Sequence, residues 1–265
     1  MNSAPVVSSN PASNTSPAFR ACLGALMLLC LAACAHKPPA SDPVALAAYE
    51  EANDPLEPFN RAMFKADEGL DKVFVRPVIG VYRAVVPAGG RKGVDNFVNN
   101  LRSPITFVND LLQGEVSRAG TTLGRLAVNT GVGFFGFFDV AEKWGMPYHS
   151  EDFGQTLAVW GVGDGPYVYV PLLGPSTARD GIGFGVDAFL TDPLAWYSSG
   201  DGAMPWVQWA YLGLTYYDTK DAFQDALDEL KKSSIDYYAA LRSSYRQIRA
   251  SEIRNGAPPP MEDFE

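Results

Sequence analysis

Residues 152–180 read DFGQTLAVWGVGDGPYVYVPLLGPSTARD, and between Leu157 and Ala178 the single formal charge is Asp164. That apolarity is close to a membrane segment's. Gly161, Gly163, Gly165, Pro166, Pro171, Gly174 and Pro175 nevertheless exclude one spanning helix. Irregular backbone among apolar residues is tolerated in lipid only where protein or a water-filled cavity satisfies its polar groups. Taken alone, the stretch also fits a water-soluble core with a tight turn at Gly163–Pro166. Gly161, Gly163 and Gly165 alternate with Val162 and Asp164, a pattern that lowers the barrier to loop movement and makes them hinge candidates. A static turn would instead require positive φ at two of them.

Working outward, 126–138 (LAVNTGVGFFGFF) and 203–217 (AMPWVQWAYLGLTYY) are also uncharged. A bilayer-spanning helix needs about 20 apolar residues, so each run can enter a leaflet without crossing it. Trp196, Trp206, Trp209, Tyr211, Tyr216 and Tyr217 suggest an interfacial aromatic belt.

The N-terminus supplies the second argument for a membrane. Arg20 precedes the apolar run Ala21–Leu31, which ends in Leu31-Ala32-Ala33-Cys34. Residues 1–33 therefore read as a signal peptide, and the cysteine after Leu-Ala-Ala reads as a bacterial lipobox, with Cys34 the lipidation site. Processing removes Cys22 and Cys30 and blocks Cys34, which leaves no thiol for a disulfide, a metal or catalysis. Two or three acyl chains anchor a protein stably. Ala35, where an Asp would retain the protein, fits sorting to an outer membrane. The formal charge of −9 argues against nucleic acid as a partner.

The remaining chain is expected to be all-α, built of many short helices with Gly/Pro-rich corners. Asp54-Pro55-Leu56-Glu57 suggests an N-cap and capping box. Phe59, Met63, Phe64 and Leu70 follow in one apolar sector. Pro77 and Pro87 bracket a helix over Val78–Val86. Gly93–Leu101 forms another, and Ser103-Pro104 restarts the chain as a cap. Phe107, Val108, Leu111 and Leu112 make a stripe that ends at Gly114. Val116–Thr130 is helical with Leu123, Leu126 and Ala127 inward. The expected organisation is a lipidated tether over 34–52, a membrane-embedded domain over 53–217, amphipathic periplasmic helices over 218–254 and a disordered tail over 255–265.

No catalytic constellation emerges. Gly131-Val-Gly-Phe-Phe-Gly136 matches GxGxxG by letter but lacks the flanking strand. His149 is the only histidine beyond the tether, and Ser176 reads as a helix cap rather than a nucleophile. No metal and no cofactor is expected.

Several blocks nevertheless resemble a known family: Asn53–Arg61 (NDPLEPFNR), Arg76-Pro77, Tyr82–Pro87, Asn96–Leu101, Val108–Gly114, Arg125 with Asn129-Thr130, Phe138–Ala141 and most of Glu151–Asp180. The chain is similar in these blocks to the MlaA (VacJ) family of outer-membrane lipoproteins. The resemblance implies a ring of helices half-embedded in one leaflet around a central amphipathic channel. Phospholipid would pass down it to the periplasmic carrier MlaC, beside a trimeric porin of the OmpC/OmpF type, with no covalent chemistry. Candidates for the lipid path are Phe59, Asn60, Arg61, Phe64, Arg76, Arg83, Arg125 and Arg179, the guanidiniums as phosphate partners. Ordinary salt bridges to nearby carboxylates are the alternative for each arginine. A scaffold lipoprotein and a hydrolase acting on envelope lipids are the competing functions.

Overall fold

The structure, a computed structural model, describes residues 38–39, 41–193 and 205–258. The signal peptide, Cys34, Trp196 and residues 259–265 lie outside the described residues. Helix α1 (Pro43–Ala52) occupies the second half of the expected tether. Helix α2 (Glu57–Leu70) runs through a π-helical turn at 71–75 into α3 (Arg76–Val85). Pro77 thus sits in the first turn of α3, where a missing N–H costs least. Next come α4 (Ala88–Leu112), α5 (Val116–Gly131), the single turn α6 (Val140–Lys143) and α7 (Phe153–Val159). Strands β1 (Tyr167–Val170) and β2 (Gly174–Thr177) precede α8 (Ala178–Val186), and the chain ends in α9 (Pro205–Ser233) and α10 (Tyr237–Ile253).

The fold is predominantly helical, with corrections to the sequence reading. The stretch at 167–177 is an antiparallel hairpin, Tyr167 opposite Thr177 and Val170 opposite Gly174. Its turn holds Leu172 at φ +69°, stabilised where Asp67 accepts the Leu172 N–H at 2.8 Å. Not all helices are short: α4 spans 25 residues and α9 spans 29. Pro104 does not restart the chain but lies inside α4, and the Ser103 hydroxyl bonds back to the Asn99 carbonyl rather than capping. Helix α9 continues without a break past Tyr217, where a domain boundary was expected.

Two caps also moved. Helix α2 begins after Leu56 without a side-chain cap, because the Asp54 carboxylate is committed elsewhere. It accepts from Asn60 (2.7 Å), the Tyr238 hydroxyl (2.5 Å) and Arg242 (2.7 Å). Thr177, not Ser176, caps α8, accepting the Asp180 N–H at 3.2 Å. Gly114, at φ +81°, does close α4 as expected.

A small aromatic cluster sits where α2, the hairpin and α10 meet: Phe64, Tyr167, Tyr169 and Tyr238, with Phe64 edge-on to both Tyr169 and Tyr238. Asn60 locks the hairpin to α2, its Nδ2 donating to the Tyr167 carbonyl and its Oδ1 accepting the Tyr169 N–H. The Tyr169 hydroxyl reaches Asp67 at 2.7 Å. Beyond this cluster the buried apolar residues are scattered along the helices, among them Val75, Ile79, Val98 and Ile105.

Candidate functional site

Helix α5, and in part α4, is amphipathic the wrong way round for water. Along α5, Thr122, Arg125 and Asn129 recur at helical spacing and are buried, while Leu123 is 52% exposed and Ala127 faces out. The expected inward face is therefore the outward one. On α4, Asn100, Asn109 and Asp110 are buried, whereas Leu111 and Leu112 are exposed. Among the described residues, 18 polar or charged side chains are buried against 11 hydrophobic ones, the reverse of a water-soluble interior. The outside carries Phe74, Val81, Val85, Phe134, Phe135, Phe189, Trp206 and Trp209, each more than 60% exposed. So large an apolar rim marks a surface that meets lipid or protein.

Much of the polar interior is paired within the protein, with exceptions that include Asn100 Oδ1, Gln155 Oε1 and the Tyr167 hydroxyl. Thr156 donates to Asn109 Oδ1 (2.8 Å), and Asn109 donates on to Asp187 (3.1 Å). Gln113 reaches both Glu151 and Thr156, and Arg118 closes on Glu151 at 2.6 Å. Burial raises the Glu151 carboxyl above the usual range, against the lowering effect of Gln113 and Arg118. Asn129 accepts the N–H groups of Val140 and Ala141, both at 2.9 Å, and so fixes the start of α6. Such networks are favourable only when complete, since each orphaned group costs its full desolvation.

His149 belongs to this network and not to a catalytic array. Its Nε2 lies 3.0 Å from Asp110 Oδ1 and 3.2 Å from the Thr122 hydroxyl, which itself donates to Asp110. Both partners meet the same ring nitrogen, so the ring cannot relay a proton from hydroxyl to carboxylate. Among the described residues, no group of histidine, cysteine and acidic side chains could hold a metal ion.

Every arginine proposed for the lipid path is engaged. Arg61 pairs with Glu57 and Asp236, Arg76 with Asp71 and Asp228, and Arg83 with Asp221 and Asp225. With Lys231–Glu68, these form a ladder joining α2 and α3 to the acidic side of α9 and the cap of α10. Arg125 holds the Met146 carbonyl and Asp139 (2.7 Å). Burial alone would raise the Asp139 carboxyl, but Arg125, the Glu142 N–H and Asn129 hold it below its ordinary value. Arg179 pairs with Asp180 at 3.0 Å. Phe64 and Asn60 sit in the hairpin lock, and Phe59 is half-buried.

The loop at 161–165 has positive φ at Gly161 (+89°) and Gly165 (+65°) but not at Gly163. From Asp164 onward it is pinned: Asn53 donates to the Gly165 carbonyl, and Arg246 to Asp164 at 3.0 Å. A side chain at Gly163 would meet open space. The sequence reading missed Arg242, Arg246 and Arg249 of α10, which tie that helix to Asp54, Asp164, Asp152 and Asp180.

A family model described as MlaA lipoprotein matches residues 52–252. The chain belongs to the MlaA lipoprotein family. The "Intermembrane phospholipid transport system lipoprotein MlaA" of Escherichia coli K12 is 36% identical, over 77% of this chain and 79% of its own length. The MlaA lipoprotein of Haemophilus influenzae is 30% identical over 78% and 81%. An uncharacterised protein of Rickettsia conorii is 31% identical over 77% and 79%. Among solved structures, a chain described under "Structural basis for maintenance of bacterial outer membrane lipid asymmetry" superposes with a TM-score of 0.65 at 32% identity. That match covers 76% of this chain and 98% of the other. The MlaA match begins and ends within the described helices, so the inverted amphipathicity lies inside the shared region.

Proposed function

We infer that this protein is the outer-membrane lipoprotein of a retrograde phospholipid transport route. It removes phospholipids misplaced in the outer leaflet, passes them toward the periplasm and so maintains lipid asymmetry. It acts by transport, not by catalysis. The observation that carries this reading is the polar interior enclosed by an apolar rim. A phospholipid headgroup cannot cross hydrocarbon unaided, because desolvating a charge costs many kcal/mol. A path lined by amides and paired charges removes most of that cost, while the rim keeps the acyl chains in an apolar environment. No helix among the described residues is long and apolar enough to cross a membrane. The protein is accordingly read as embedded in one leaflet from the periplasmic side, anchored through Cys34.

The finer features follow the same reading. The helices surround a central amphipathic channel, a periplasmic carrier of the MlaC type receives the lipid, and a trimeric porin of the OmpC/OmpF type flanks the rim. Gly161 and Gly165 hold the positive φ that a static turn requires, so of the three hinge candidates Gly163 carries the proposed loop movement. Among the lipid-path arginines Arg125 has the strongest claim, since it also lines a polar cavity. The others hold helices together, and phosphate would have to compete with their carboxylates.

The decisive experiment measures outer-leaflet phospholipid and detergent sensitivity in a strain lacking the gene, complemented with wild type or with an empty vector. Wild type should restore both to normal. Unchanged surface phospholipid on deletion would refute the transport reading.

A further inference from the structure

Every arginine among the described residues holds a carboxylate or a backbone carbonyl, with one exception. Arg102, on α4, makes no side-chain hydrogen bond and no ion pair among the described residues. Acids are not scarce, since the chain carries 30 Asp and Glu against 21 Lys and Arg. The side chain is half-buried, and its nitrogens are not among the enclosed polar atoms that lack a partner. The guanidinium is thus unpaired but reachable, unlike the arginines of the ladder on α2 and α3.

Its surroundings explain why no carboxylate closes on it. Asn99, one turn earlier on the same face of α4, accepts the Tyr148 hydroxyl at 3.1 Å. Tyr211 approaches from α9, which packs against α4, and is buried. Burial raises both hydroxyls, and Arg102 is the strongest charge opposing that rise at each. Both phenols stay neutral and cannot serve as its counter-ion. Asp95 and Asp192 act on the same hydroxyls more weakly, and neither is paired with Arg102. Asp95 is already held by Lys92 at 2.6 Å and by Asn99 at 3.0 Å. A partly buried charge without a counter-ion costs free energy, and a ligand anion recovers it.

The position suits an amphiphile. Tyr211 faces inward from α9, whereas Trp206 and Trp209 of the same helix are exposed. Arg102 therefore lies behind the apolar rim by roughly the thickness of one helix, about 10 Å. Asn99 and Tyr148 also form part of the wall of a polar cavity of about 190 Å³, so open polar volume adjoins this site. A free anion has no use for the rim, but a phosphate that carries acyl chains does.

We propose that Arg102 binds the phosphodiester of the transported phospholipid where α9 packs against α4, without regard to the headgroup beyond it. The proposal rests on the transport reading above and adds to it the residue that takes the charge. Two non-bridging oxygens, common to every glycerophospholipid, accept from the forked guanidinium. The acyl chains extend toward Trp206 and Trp209. Ethanolamine, choline or glycerol lies on the far side of the phosphorus and makes no contact on which the site depends.

The test uses the full-length protein purified in an uncharged detergent. The probes are dihexanoyl phosphatidylethanolamine, dihexanoyl phosphatidylcholine, dihexanoylglycerol and inorganic phosphate. Wild type should bind the two phospholipids about equally and dihexanoylglycerol about tenfold more weakly, the worth of one charge-assisted hydrogen bond. Arg102→Gln should weaken both phospholipids about tenfold and leave dihexanoylglycerol unchanged. Arg102→Lys should recover part of that loss, because an ammonium keeps the charge but cannot fork. Since Arg102 has no partner among the described residues, Arg102→Gln should not lower the thermal unfolding midpoint. A lowered midpoint, or phospholipid affinity untouched by Arg102→Gln, overturns the proposal. Displacement of the lipid by inorganic phosphate at matching concentration assigns Arg102 to a free anion and also overturns it. In cells, Arg102→Gln should raise surface phospholipid without changing its headgroup composition. If deletion raises surface phospholipid and Arg102→Gln does not, the subsite fails and the transport reading stands. If deletion has no effect, transport itself fails and the proposal with it.

Discussion

Arg249 grips Asp152 with both terminal nitrogens, at 2.6 and 2.7 Å, and so joins the last helix to the first residue of the segment that leads into the hairpin. The same guanidinium reaches Asp180 at 3.1 Å. Burial would raise both carboxyls and lower the guanidinium, yet the pairing wins: both acids are held below their ordinary values and the arginine above its own. Arg249→Ala leaves the half-buried Asp152 without an ion pair among the described residues and Asp180 with Arg179 alone, and should cost about 3 kcal/mol. Arg249→Lys should recover only part of this, because an ammonium cannot fork. Thermal unfolding of the detergent-solubilised variants checks both, and an Arg249→Ala midpoint equal to wild type would refute the assignment.

The inverted amphipathicity predicts an inverted substitution pattern. Asn129→Leu makes the interior more apolar but strips partners from the Val140 and Ala141 N–H groups and from Asp139. It should destabilise by about 2–4 kcal/mol in detergent. Leu123→Gln makes the protein more polar at an exposed site and should change stability by less than about 0.5 kcal/mol. It should instead loosen membrane association, read by carbonate extraction. A water-soluble fold would give the opposite order.

Asp218 gives a pH signature. Burial first, then Asp95 and Asp221, push its carboxyl up to about 6 from 3.8. A raised folded-state value means its contribution is fully present below about pH 4 and is lost as pH rises through about 6. Asp218→Asn should therefore stabilise by about 1–2 kcal/mol at pH 7.5, a discounted share of the two-unit shift. That gain should fade between pH 6 and pH 4. A gain independent of pH would point to another cause.

The glycine loop separates two ideas by position. Gly161→Ala forces a side chain into positive φ and should cost about 1 kcal/mol of stability whether or not the loop moves. Gly163→Pro meets open space and fixes φ, so it tests movement. If the loop is a hinge, the variant reaches the membrane at normal level yet alters surface phospholipid. Normal transport by a stably expressed Gly163→Pro protein would exclude the hinge.

Cys34→Ser should abolish incorporation of labelled palmitate and release the protein from the outer membrane. Palmitate retained on the variant would place the anchor elsewhere.

The sequence made the element types legible where breakers and caps were local. Val116 to Gly131 was read almost to the residue, and Gly114 closed its helix as expected. Pro104 misled because a proline ends a helix only when tertiary contacts do not continue it, and α4 is packed against α5 on both sides of that residue. The hairpin was hidden by prolines at its ends and by apolarity that does not alternate. Burial was misread for one physical reason: apolar residues were assigned inward, as water requires, when the solvent here is lipid. The corrective signal was present in Arg118, Thr122, Arg125 and Asn129, a polar stripe at helical spacing. Arg61 and Arg76 each have one local partner, Glu57 and Asp71, but their other carboxylates and both of Arg83's lie more than 130 positions away, a distance that no local pattern encodes.

The outward-facing rim of Phe74, Val81, Val85, Trp206 and Trp209 also shapes the life of the protein before it reaches its bilayer. Folded in water, the chain would expose that lipophilic surface, and the exposure ends only where lipid or protein covers it. Mass action then favours self-association over delivery unless an escort covers the acyl chains and the rim together. Overproduction should consequently outrun the escort and yield soluble aggregates, not excess membrane protein. In such a molecule supply, rather than stability, sets how much of it the cell can hold.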